Sequence, residues 1–357
     1  MRNLTMSVGV AMLCVAPVTW ADHGGQDHGN DDVVTYSVAT IDYPGFRGTT
    51  TVNGVSDSER VVGAFTAPAT QFGYGFLEFH GQFSLLPSGP CRSAHCDTTP
   101  LAVNSSGEIA GEFSEDPTHR SVFVIHGPLL LMIPVPSTRN LAILGGLNER
   151  GDVVGFFQTN AGPIRTFLYG GLLTSVLAVP AGFTDMAGRA INNSGQITGS
   201  VDDSKGLHGF AVTRGKFSRF DFPGGLNTSP VAINNPGDVV GTYNLASSSP
   251  TPVQHGFLMV RGGFTRVDFP GGLNTMPSAL NDSDVVVGTY ENPAIRPPFN
   301  TSAFVYQRGK FTRLPLPGAV ENVGGISSSG IIVGTYFDAG CPVSCSVHGF
   351  TATPSKH

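Results

Sequence analysis

From about residue 34 onward the chain is a succession of short apolar runs, each with the length and alternation of a strand and each ended by a turn signal. The segment from Val231 to Gly271 shows the pattern in full. Val231-Ala232-Ile233 is an apolar run stopped by Asn234-Asn235-Pro236-Gly237-Asp238, where proline presets φ and glycine supplies a positive φ for a tight reversal. Val239-Val240-Gly241-Thr242-Tyr243 alternates as a second strand, and a variable loop runs to His255. Gly256 to Val260 form a third strand, and Arg261-Gly262-Gly263 turns into a fourth, Phe264 to Phe269. No segment offers a helical period with caps, so helix-pair repeats are excluded.

The four-strand unit recurs seven times. A glycine stands at Gly63, Gly111, Gly155, Gly199, Gly241, Gly288 and Gly334, with spacings of 48, 44, 44, 42, 47 and 46. A phenylalanine follows each, at Phe76, Phe123, Phe167, Phe210, Phe257, Phe304 and Phe350. Seven positions before each glycine is a small polar residue: Ser56, Asn104, Asn148, Asn192, Asn234, Asn281 or Ser327. A period in the forties with four strands per repeat predicts a seven-bladed β-propeller over residues 33–353.

The strand period of two puts Val239, Gly241 and Tyr243 on one face, and likewise Val286, Gly288 and Tyr290. An aromatic ring from a neighbouring strand or blade is expected over each glycine, recovering the packing that a strand glycine lacks. The repeated tyrosines then read as core. The last repeat stops at His348-Gly349-Phe350 without a fourth strand, while Tyr36 to Gly45 matches that strand with nothing before it. The N-terminal strand is therefore expected to complete blade seven and close the ring.

Composition adds limits. Only 13% of residues are charged, 47 are Gly and 26 are Pro, and the formal net charge is -6 with no Lys/Arg cluster. Nucleic acid is not an expected partner, because phosphate-backbone binding needs a basic stripe. Residues 1–21 read as an export signal: Arg2, an apolar core from Met6 to Val18, and a small residue at Ala21. That core is too short for a membrane span. Residues 22–32 read as a disordered His/Asp/Gly tail, and 354–357 as a C-terminal tail. In an exported chain Cys91, Cys96, Cys341 and Cys345 favour two disulfides over a metal site. Three pairings are open, and local bridges within the two loops are the first expectation.

The units His208-Gly209-Phe210, His255-Gly256-Phe257 and His348-Gly349-Phe350, with variants Ser302-Ala303-Phe304 and Tyr74-Gly75-Phe76, follow the polar-turn-Gly element. In these residues the chain resembles the bacterial extracellular repeat family named for its His-Ala-Phe motif. The resemblance spans nearly all of residues 34–353 and implies secretion and a propeller-like array, with no assigned activity. The middle alanine is mostly glycine here, and four of the seven repeats lack the histidine.

His208, His255 and His348 begin the third strands of separate blades and read as structural, buried or turn-bonded residues. Asp42, Asp221 and Asp268 precede an aromatic-Pro corner, and Arg219 and Arg266 stand two positions before the last two, so exposed charge guarding a sheet edge is the expectation for them. No metalloprotease, nucleophile-elbow, phosphate-loop or calcium-loop motif is present, so no catalytic residue, metal site or cofactor is assigned. The function expected is a monomeric, secreted or periplasmic, non-catalytic binding or scaffold protein for an extracellular protein or glycan. The alternative is a hydrolase or lyase working in the central funnel, which converging acidic or His side chains there would favour. The second-to-third-strand loops, such as Ala246 to Gln254 and Glu291 to Thr301, are where a ligand is expected.

Overall fold

A computed structural model describes residues 34–89, 96–116, 119–136, 141–158, 162–246, 252–297, 300–339 and 345–355. The expected signal segment 1–21 and tail 22–32 lie outside these residues, as do Cys91 and Cys341. The described chain is all β, without a helix, and forms seven four-stranded antiparallel sheets. Blade one spans Thr50–Leu85, two Asp97–Met132, three Ala142–Val176 and four Asp185–Phe220. Blade five spans Leu226–Val267, six Leu273–Arg313, and seven Ala319–Pro354 with Tyr36–Ile41 as its fourth strand. Each first strand lies beside the first strands of the two neighbouring blades, and blade seven meets blade one. The ring is therefore closed with its first strands innermost.

The repeated glycine and phenylalanine are cross-strand partners. The register pairs Gly63 with Phe76, Gly155 with Phe167, Gly241 with Phe257 and Gly334 with Phe350, and the other three repeats follow. The phenylalanine ring lies over the glycine: a Cβ added to Gly63, Gly111 or Gly155 would come within 2.7 Å of it. On its other side the same Cβ would meet a first-strand carbonyl, at 2.1 Å for Gly63 and 2.2 Å for Gly241. Only a residue without a side chain fits between a ring and a carbonyl at such distances. All seven phenylalanines are fully buried, so each blade owns one ring at its centre.

The small polar residue has two tasks. In Asn192 the side-chain oxygen accepts the N–H groups of Ser194 (3.1 Å) and Gln196 (2.9 Å), shaping the turn between first and second strands. Its amide nitrogen donates to the backbone carbonyl of Asn234 in the next blade (2.9 Å). The same bond runs from Asn104 to Asn148 (3.2 Å), Asn148 to Asn192 (3.1 Å), Asn234 to Asn281 (3.3 Å) and Asn281 to Ser327 (3.2 Å). A buried chain of amides thus links blades two to seven near the axis. Serine has no such nitrogen. At Ser56 other donors bridge to blade two, Ser58 Oγ (3.1 Å) and the Arg60 guanidinium (2.8 Å) both bonding the Ser105 carbonyl.

Every first strand carries a β-bulge, where its register with the second strand slips by one residue. Next to the partner of the marker glycine the extra residues are Asn53, Leu101, Gly145, Arg189, Val231, Ser278 and Gly324, and blades five, six and seven slip a second time earlier in the strand. The sequence pattern does not show these bulges, because the inserted position imposes no residue type. Closure follows the expected route: Tyr36 to Ile41 pair antiparallel with Pro354 to Gly349, and Thr40 and Tyr336 share a 2.8 Å hydroxyl bond across the seam. The last blade reaches Pro354, one residue past the expected limit.

Candidate binding surfaces

Antiparallel blades give the ring two faces. Turns within the strand pairs one-two and three-four lie on one face; second-to-third-strand loops and blade-to-blade connections lie on the other, the loop face.

On the turn face the polar residues converge on the axis around a cavity of about 190 Å³ lined by, among others, Asn148, Asn192, Asn234 and Asn281. Its rim holds Asp57, Glu149, Asn193, Asn235 and Asp282. These side chains are occupied. Asp57 accepts the Ser328 N–H (2.6 Å), Glu149 the Ser105 N–H (2.9 Å), and Asp282 the Asn235 N–H (2.9 Å). Asn193 and Asn235 do the same for Glu149 and Asn193. The acidic groups are thus fasteners between neighbouring blades, each held by donors of the preceding one.

The histidines and aspartates read separately in the sequence meet in the structure. His208 Nδ1 donates to Asp221 (2.6 Å), His255 Nδ1 to Asp268 (2.8 Å), and His348 Nδ1 to Asp42 (2.9 Å). Each pair ties the third strand of a blade to its fourth, and in blade seven that tie crosses the ring closure. Arg219 also binds Asp221 (2.8 Å) and Arg266 binds Asp268, so the arginine contact was legible. Simple edge charge was not the whole account, since Asp42 and Asp268 are largely covered. The constant offset of thirteen between His208 and Asp221 and between His255 and Asp268 was the available signal. The residues after these aspartates are core as well: Tyr43, Phe222 and Phe269 stack on Phe65, Tyr243 and Tyr290 of the next blade at 3.7 to 3.9 Å between centroids.

The loop face of blades five and six exposes several large apolar side chains. Leu226, Leu245, Val253, Leu273, Met276 and Ile295 are all exposed there, two of them from the repeated Gly-Gly-Leu-Asn-Thr connection. Part of the loop singled out in the sequence, 247–251, and residues 298 and 299 lie outside the described residues.

Between blades three and four the same face opens into a cleft of about 560 Å³, lined by Phe156, Ile164, Asp185, Arg189, Ser200 and Asp202 among others. The Arg189 guanidinium lies over the Phe156 ring, 4.9 Å from its centroid. Loss of part of its hydration pushes the Arg189 pKa below the ordinary arginine value. Among the described residues no group of three or more His, Cys, Asp or Glu side chains is arranged to hold a metal ion.

No family model matches the chain, and comparison with curated proteins returns no match. Solved structures do match. The β-propeller domain of the Trilobed protease from Pyrococcus furiosus superposes with a TM-score of 0.56 at 10% identity, over 86% of this chain and 94% of that one. A puromycin-hydrolyzing peptidase of Mycobacterium tuberculosis (TM-score 0.52, 9% identity, 84% of this chain and 49% of that one) and the acylaminoacyl peptidase of Pyrococcus horikoshii (0.52, 10%, 85% and 51%) also match. This chain spans about half the length of the two peptidases. At such identities the likeness is one of fold.

Proposed function

We propose that the chain is an exported, non-catalytic binding protein whose partner, another protein, docks on the loop face over blades five and six. The observation that carries this reading is the gathering of Leu226, Leu245, Val253, Leu273, Met276 and Ile295 at one end of two adjacent blades. Exposed apolar side chains in such a group gain by leaving water, and a partner surface is what covers them. The use of Asp57, Glu149 and Asp282 as fasteners supports binding over hydrolase or lyase chemistry in the channel, since each carboxylate already holds a backbone N–H of the preceding blade. Export rests on the signal-like residues 1–21. Local bridges Cys91 to Cys96 and Cys341 to Cys345 belong to the same proposal, supported by the short separation of each pair along the chain.

The test compares the mature chain with a Leu245→Glu/Leu273→Glu variant, both immobilised and exposed to extracellular material of the source cells and to a glycan array. A protein retained by the native chain and lost by the variant is the expected result. Equal retention by both, or retention of glycans alone, contradicts the reading. Peptide mapping without reductant is expected to recover the two local disulfides; free thiols would refute them.

A further inference from the structure

We propose that the cleft between blades three and four binds a small zwitterion, a short peptide with free ends, its carboxylate on Arg189 and its ammonium on Asp202. The inference rests on the reading of the chain as a binding protein and assigns a second, independent site on the same face.

The cleft exists because two positions depart from the repeat. The residue after the marker glycine is Ala64, Glu112, Ser200, Thr242, Thr289 or Thr335 in six blades and Phe156 in blade three. At two of the junctions that residue accepts an N–H from the next blade, Val52 N–H to Thr335 (3.0 Å) and Leu144 N–H to Glu112 (2.9 Å), whereas Thr289 and Val323 make no such bond among the described residues. In blades two, five and six the matching position is Pro100, Pro230 or Pro277, which has no N–H to give. Blade four places Gly188 there, packed against Thr166 and Val154 of blade three, and its N–H meets no side-chain acceptor among the described residues. The next residue is Arg189, whose counterparts at the bulges of the other blades are uncharged. Neither Phe156 nor Arg189 is needed by the fold, since six other blades do without them.

Arg189 makes no hydrogen bond or ion pair among the described residues, and no described carboxylate lies within 4.0 Å of it. A guanidinium carries five donors, and that of Arg189, exposed at the cleft and without a protein acceptor, is open to an arriving carboxylate.

The opposite charge stands at the loop end of the same wall. Asp185 and Asp202 are cross-strand partners, three residues from the paired Gly188 and Gly199, or about 10 Å along the strand. Asp185 is committed to the Ile164 N–H (2.6 Å) and the Thr184 hydroxyl (3.0 Å), while the Asp202 carboxylate meets no protein donor among the described residues. A simple anion is repelled by the aspartates and a simple cation by the arginine. A molecule bearing both charges satisfies both ends. A dipeptide or tripeptide spans at most roughly 7 to 11 Å, which fits this separation. Phe156, Pro163, Ile164 and Leu207 offer an apolar wall for a side chain, and the volume is within the range of small-ligand sites, roughly 300 to 1,000 Å³.

The test is isothermal titration of the mature chain with the tripeptide Ala-Leu-Ala, its C-terminal amide and its N-acetyl form. The free tripeptide is expected to bind, with each capped form at least tenfold weaker. Arg189→Gln should weaken the free tripeptide at least tenfold and leave the amide unchanged, and Asp202→Asn should do the same with respect to the acetylated form. Circular dichroism melting verifies that both variants are folded. Failure of the free tripeptide to bind, equal binding of acid and amide, or unchanged binding to Arg189→Gln overturns the proposal. Occupation of the site by inorganic phosphate in place of the tripeptide also overturns it. A negative titration beside a positive Leu245→Glu/Leu273→Glu result removes the zwitterion site alone and leaves the docking face standing.

Discussion

A methyl group on Gly241 would lie 2.2 Å from the Ser229 carbonyl and 2.9 Å from the Phe257 ring, and neither neighbour is the flexible end of a side chain. Gly241→Ala is therefore expected to cost about 3 kcal/mol or more, at the upper end of overpacking effects, read as a lowered urea midpoint. Asn192→Ser tests the second task of the turn residue: as Ser56 and Ser327 show, a serine hydroxyl keeps the acceptor for the turn N–H, and the change removes the amide that donates to the Asn234 carbonyl and to Gln196 Oε1. A loss of about 1 to 3 kcal/mol is expected, because a buried carbonyl is left without its partner; an unchanged midpoint would show that the inter-blade amide chain does not stabilise the ring. Glu112 is buried, and burial raises its pKa above the ordinary value of 4.5, with the Leu144 N–H and Arg120 opposing. A raised folded pKa means that the fold takes up the proton before the unfolded chain does. The charge penalty is thus full above the folded pKa and disappears as pH falls below 4.5. Glu112→Gln keeps the acceptor and removes the charge, so it should gain stability relative to the native chain at pH 8 and lose that advantage by pH 4. The glycine and phenylalanine markers were readable because each acts inside one repeat. The Asn donor was not, since its acceptor stands 42 to 47 positions further on.

Within each blade the alternation of the strands sets which residues meet, and the seam obeys the same rule. Tyr36 to Ile41 cover the third strand of blade seven from Gly349 to Pro354, with the His348 and Asp42 pair at one end. A chain beginning at Thr49 should melt at a lower temperature than one beginning at Asp32 and should aggregate on size exclusion, because it bares unpaired backbone groups beside Phe350. Equal melting and a clean monomer for both would mean that the first strand is dispensable to the ring. Strand number, order and closure were legible because hairpin turns carry strong residue preferences. The bulges were not: any of Asn, Leu, Gly, Arg, Val or Ser can occupy the inserted place. The His-Asp ties fell between these cases, hidden in blade seven by a separation of 306 positions.

For the whole molecule, the sevenfold pattern supplies the scaffold and the departures from it supply the surfaces. The loop face of blades five and six and the charged cleft between blades three and four are both places where one or two repeats differ from the rest. Composition and spacing describe what seven repeats share, so they spoke clearly about architecture. Arg189 and Phe156 were silent in the sequence because each occurs once, and only the register shows that they meet. The division of labour between repeat and departure is tested most directly by returning both positions to residues that other blades use, in a Phe156→Thr/Arg189→Ser variant. Thr occupies the first position in three blades and Ser the second in blade six. Thermal unfolding should then place the variant within about 3 °C of the native chain, since the exposed Arg189 has no protein partner to lose and both new residues are ones that other blades accommodate. A larger fall in melting temperature would show that Arg189 and Phe156 hold the ring together, and would contradict the assignment of scaffold to the repeat and binding to its exceptions.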